Sequence, residues 1–157
     1  MQTSDDLARH GHGLIQLGMF LFLLALLVGL AVPKFAVPRL GLSTHLLGIM
    51  QGLFLMIAGL LWPTLRFSSL MSRIGIFLAV YGCFAAWTAN LTAAIIGAGN
   101  SLLPIAAGQA QGSPLQETLI AIALRSAAVS LIAVTILILW GLRRLRLEEL
   151  DTPRKGY

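Results

Sequence analysis

The sequence predicts an all-α integral membrane protein, a bundle of four transmembrane helices, and three observations predict it. Of the 157 residues, 57% are hydrophobic and only 11% charged, with a mean hydropathy of +0.86. A soluble domain carries about 25% charged residues, so too few charges are present to cover a water-facing surface, and the bilayer has to act as solvent. Four apolar stretches each reach the roughly 20 residues that a helix needs to cross a hydrocarbon core. Gly, Pro and Ser gather between these stretches, where helices end. Lipid offers the backbone no hydrogen-bond partners, so the spans must be helices. The length fits one membrane domain, 1–157, and the hydrophobicity excludes disorder.

The first span is expected over about 13–32, ending at Pro33. Its apolar core exceeds the roughly 7–15 residues of a signal-peptide core, and no small-residue cleavage site precedes Lys34, so it is expected to be retained. The second covers about 44–62 and ends at Pro63; the third covers about 74–97 and the fourth about 119–142. A basic tail, 143–157, follows with Arg143, Arg144, Arg146, Arg154 and Lys155.

The charge is +5 and the pI near 10.4. Its concentration just after an apolar run fits attraction to anionic lipid, worth about 1 kcal/mol per cation, and not nucleic-acid binding. With the amino terminus in the cytoplasm, Arg9, Arg66, Arg73 and the five tail cations lie inside, and only Lys34 and Arg39 outside. The positive-inside rule therefore places both termini in the cytoplasm, with an inner bacterial membrane as the expected setting. Trp62 and Trp140 then fall at the inner interface, which indoles favour.

Polar groups within spans are costly and are the first functional candidates. His45 lies near the outer end of the second span, and Gln51 roughly 9 Å further along it. Asn90 on the third span and Arg125 on the fourth are expected at about the depth of Gln51, so three helices offer polar groups to one layer below His45. Each also has a plainer reading. His45 at a helix end can cap it or face headgroups; Gln51 and Asn90 can be interhelical hydrogen bonds worth about 0.6 kcal/mol. Arg125 can pair with Glu117. Gly48, Gly52 and Gly59, with a small-residue face Gly82, Ala86, Ala89, Ala93 and Gly97, can serve close helix packing, or the shallow face beside His45 can admit a flat ring. Trp87 reads as packing. His10 and His12 lie at the far end of the first span, too distant to share a metal with His45. Cys83 is the single cysteine, so no disulfide or cysteine-rich metal site forms within one chain. Metalloprotease, P-loop, nucleophile-elbow and Rossmann motifs are missing, and no acidic residue lies in the first two spans.

The stretch His45-Leu-Leu-Gly-Ile-Met-Gln51-Gly52, apolar to Trp62-Pro63, resembles the second helix of the hydroxylaminobenzene mutase and styrene oxide isomerase family. Gly11-His12-Gly13, Ala86-Trp87 through Gly97-Ala-Gly, Pro104-Ile-Ala and Gln116-Glu117 resemble its other segments in the same order, over about 130 residues. The resemblance implies ferric haem b acting as a Lewis acid without redox turnover, in a homotrimer of four-helix subunits. His45 matches the family's axial iron ligand, and Gln51 a substrate-contacting Asn. Asn90 falls where the epoxide-processing branch has a Tyr, which favours the mutase branch.

The resulting expectation is a membrane isomerase turning hydroxylaminobenzene-type arylhydroxylamines into 2-aminophenols by intramolecular hydroxyl transfer. Gln51 and Asn90 are its candidate catalytic pair, His45 its metal ligand, and Gly48, Gly52 and Arg125 further haem contacts. The alternatives are an epoxide-to-aldehyde isomerase of the styrene oxide type and, in another class, a haem-binding membrane anchor or a small transporter subunit without chemistry.

Overall fold

A computed structural model of the chain describes the backbone of residues 4–65 and 67–151, and side chains over 7–65 and 67–143. Four long helices carry the fold: α1 (Ser4–Ala31), α2 (Pro38–Leu61), α3 (Ser69–Ile96) and, after the single turn α4 (Pro104–Ala107), α5 (Pro114–Asp151). All four long helices are long and apolar enough to cross a membrane. The helices extend past the apolar runs because helical geometry persists where the chain leaves hydrocarbon. α2 starts at Pro38, whose fixed φ suits a first helical position, so His45 sits in its second turn and does not cap the helix. α5 continues to Asp151, so the first part of the basic tail is helical. Arg66 and the tail side chains of Arg144, Arg146, Arg154 and Lys155 lie outside the described residues.

Local chemistry sets the helix ends. Ser68 caps α3, its Oγ accepting from Met71 N at 3.4 Å. α3 stops at Gly97, which takes the left-handed φ of 71° that glycine adopts without a Cβ penalty. Ser113 and Gln116 form a reciprocal box at the start of α5: Ser113 N donates to Gln116 Oε1 at 2.8 Å, and Gln116 N to Ser113 Oγ at 3.4 Å.

α1 lies along α2, α2 along α3, and α3 along α5. Glycines let α1 and α2 approach backbone to backbone. A Cβ on Gly18 would fall 2.6 Å from the Gly52 carbonyl, and one on Gly11 2.5 Å from the Gly59 carbonyl. Gly82 serves the α3–α5 seam, where a Cβ would meet Leu131 at 2.8 Å, and Tyr81 Oη and Ser126 Oγ are hydrogen-bonded at 2.7 Å. Trp62 is fully buried in the core, donates Nε1–H to Ser72 Oγ at 2.9 Å and meets Phe67 edge-on.

Candidate active site

His45 is half-buried on α2 and faces α1. Its Nδ1 lies 2.8 Å from the Ala25 carbonyl oxygen. A carbonyl only accepts, so Nδ1 carries the proton in this contact, and the neutral form of the ring has its lone pair on Nε2. The ring sits where α1 has no side chain: a Cβ on Gly29 would fall 2.6 Å from His45 Nδ1. His45 lines an apolar groove of about 600 Å³ with Leu26, Leu27, Leu30, Val32 and Leu42. A histidine fixed by a backbone carbonyl, with its other nitrogen free of protein hydrogen bonds, is the usual arrangement of an imidazole metal ligand. Among the described residues no three His, Cys, Asp or Glu side chains gather. Among the described residues, His45 is the one imidazole that lines this groove.

Gln51 and Asn90 are both buried, at 6% and 4% exposure, and Gln51 Oε1 and Asn90 Oδ1 have no hydrogen-bond partner. Asn90 Nδ2 donates to Ser43 Oγ at 3.2 Å. A third buried group without a partner is Nε1 of Trp87. Buried polar atoms are nearly always paired in folded proteins, so three of them on the α2–α3 seam mark it as polar by design.

The expected single layer of Gln51, Asn90 and Arg125 is corrected by the helix register. Asn90 is level with Ser43, Trp87 with Gly48, and Cys83 with Gln51, whose carbonyl its Sγ approaches at 3.9 Å. Gln51 and Asn90 thus lie about 10–12 Å apart along the helices. Side chains tilt toward their own helix N-terminus, and α2 and α3 are antiparallel. Gln51 therefore leans toward the level of Gly48 and Trp87, while the Asn90 amide is held at the level of Ser43.

Arg125 is near the depth of Gln51 but lies on the exposed side of α5 among Ile122, Val129 and Ile132. It does not line the groove of His45, because α5 packs on α3 and the groove is formed by α1 and α2. Nor does Arg125 pair with Glu117. The Glu117 carboxylate accepts from the backbone N–H of Gly99, Ser101 and Gly112 at 2.8, 3.0 and 3.0 Å, folding the 97–113 loop onto α5. Gly48 and Gly52 are likewise packed and not open to a ring. A Cβ on Gly48 would meet Ala25 Cβ and Trp87 Nε1, each at 2.6 Å, and one on Gly52 the Gly18 carbonyl at 2.8 Å. His10 stays at the far end, its Nδ1 3.3 Å from Ser72 Oγ, while His12 Nε2 lies 3.3 Å from Gln16 Nε2.

Sequence reasoning missed Gly29, the Ala25 carbonyl, Ser43 and the Trp87 N–H. Only the seven-residue spacing of Gly11, Gly18 and Ala25 was a readable signal of where α1 meets α2.

A family model described as styrene oxide isomerase matches residues 10–143. The chain is similar to hydroxylaminobenzene mutase HabB of Ectopseudomonas oleovorans, 48% identical over 155 residues, covering 98% of this chain and 93% of that protein. It is also similar to hydroxylaminobenzene mutase HabA of the same organism, 41% identical over 127 residues, or 81% of this chain and 94% of that one. No solved structure matches the chain significantly.

Proposed function

Because this chain belongs to the styrene oxide isomerase family and is an isomerase of that family, we propose that it converts hydroxylaminobenzene-type arylhydroxylamines to 2-aminophenols. The observation that carries this reading is its 48% identity to hydroxylaminobenzene mutase HabB across 98% of the chain. The reaction is an isomerisation. The N–O bond breaks, oxygen joins the ortho carbon, the ortho proton is released, and nitrogen gains one, so neither oxidant nor reductant is consumed.

The residues fit a ferric haem b. His45 offers one free nitrogen, and the apolar groove on α1 and α2 suits a flat hydrophobic ring. Such an iron would supply a Lewis acid to take up charge on the departing oxygen without a strong acid. The chain's own residues do the rest. Ala25 and Gly29 hold the His45 ring in one tautomer and one orientation. Gln51 Oε1 and Asn90 Oδ1 are acceptors suited to the N–H and O–H of the substrate, which fixes its head group. The apolar surroundings strengthen those bonds and keep water from the cationic ring. Small aromatic substrates enter from the lipid.

The same reading includes a homotrimer with both termini cytoplasmic. It is supported by the eight-to-two split of cations and by Arg125, whose position on an exposed helix face calls for cover by a neighbouring subunit. Any contact of Arg125 with haem then crosses a subunit boundary.

Purified protein, given hydroxylaminobenzene or styrene oxide in parallel without an electron donor, tests the proposal. Formation of 2-aminophenol by a preparation with a Soret band is expected. Turnover of styrene oxide alone would move the chain to the epoxide-isomerising branch, and turnover of neither would refute both.

A further inference from the structure

The geometry points to Trp87 as a hydrogen-bond donor to the oxygen of the substrate, admitted to the site by the missing side chain of Gly48. This rests on the arylhydroxylamine reading above and adds a residue to it. Trp62 shows what a buried indole does in this protein when its role is structural: its Nε1–H bonds Ser72 Oγ at 2.9 Å. The Trp87 N–H is as deeply buried but has no partner, although the ring is 6% exposed and held in the core.

Its position is specific. The point where a Gly48 Cβ would lie is 2.6 Å from Trp87 Nε1 and 2.6 Å from Ala25 Cβ. Ala25 is also the residue whose carbonyl holds His45. Gly48 is one helical turn from both His45 and Gln51, and Trp87 one turn from Asn90. In depth the indole N–H therefore stands at the level of Gly48, between His45 and Gln51, with Asn90 on the other side of His45 at the level of Ser43.

The chemistry of the three groups is complementary to a hydroxylamine. Gln51 Oε1 and Asn90 Oδ1 can only accept, and suit N–H and O–H groups. Neither serves the oxygen lone pairs, which gain negative charge as the N–O bond breaks. Among the described residues Trp87 supplies the one donor among the fully buried side-chain atoms without a partner, and a fixed donor at a developing anion stabilises the transition state. The indole N–H does not ionise, so it holds the oxygen without transferring a proton.

Trp87→Phe keeps an aromatic ring, though a smaller one, and removes the N–H. Measured against wild type, it should lower kcat for hydroxylaminobenzene by on the order of ten- to hundredfold. The inhibition constant of aniline, which has the ring and nitrogen but no oxygen, should stay within a factor of about two, as should haem content. Replacing Trp87 with 3-benzothienylalanine, which keeps the bicyclic ring and puts sulfur in place of the N–H, should give the same pattern, and it decides the matter if Trp87→Phe does not fold. Wild-type kcat in the folded variant, or equal loss of turnover and of aniline binding, would overturn the assignment. Failure of the wild type itself to form 2-aminophenol would instead refute the reading on which it rests.

Discussion

His45 is held from behind by α1, through the Ala25 carbonyl at 2.8 Å and the bare backbone of Gly29. A side chain at 29 would collide with the imidazole, so Gly29→Val should displace the ring and remove most activity. The helix itself should survive, and circular dichroism with haem stoichiometry on one preparation checks both halves. Gln51→Leu and Asn90→Leu separate site from helix glue. As substrate-orienting groups they should each lower turnover about ten- to hundredfold with little change in melting temperature. As glue they would lower the melting temperature and spare turnover per site. His45, Gln51 and Asn90 were legible in the sequence because a polar residue in an apolar run is conspicuous. Their partners were not. A backbone carbonyl has no letter in a sequence, and the relative depth of Gln51 and Asn90 depends on a helix register that composition does not set.

At the scale of elements, the small-residue stripe of α2 turned out to be a packing surface. Gly52 and Gly18 face each other's backbone carbonyls at 2.8 and 2.6 Å from a would-be Cβ, and no space remains for a cofactor ring. Gly52→Leu should separate α1 from α2 and destabilise the fold by about 1–3 kcal/mol, the usual cost of overpacking, which a melting curve measures. The 97–113 loop depends on one carboxylate. Glu117→Gln removes the charge from bonds to Gly99, Ser101 and Gly112, each worth roughly 1.5–3 kcal/mol with a charged partner. Limited proteolysis should then cut this loop faster while α1 and α2 stay intact. The helix count, order and apolar cores were readable from hydropathy alone. Glu117's true partners were hidden, because a loop folding back across 16 to 18 residues of chain leaves no periodic trace.

For the whole molecule, the proposed isomerisation transfers the substrate's own oxygen, and a site among four helices of membrane length and hydropathy would keep water from it. Arg125 on the exposed face of α5 adds a requirement for assembly. Arg125→Leu should be tolerated by the single chain, where the residue has apolar neighbours, yet shift the oligomer distribution seen by cross-linking in membranes. In the proposed reaction the hydroxyl group moves within one molecule, shielded from solvent. This transfer is tested most directly by converting unlabelled hydroxylaminobenzene in water enriched in oxygen-18 and weighing the 2-aminophenol formed. Unlabelled product is expected; product carrying solvent oxygen would rule out intramolecular transfer.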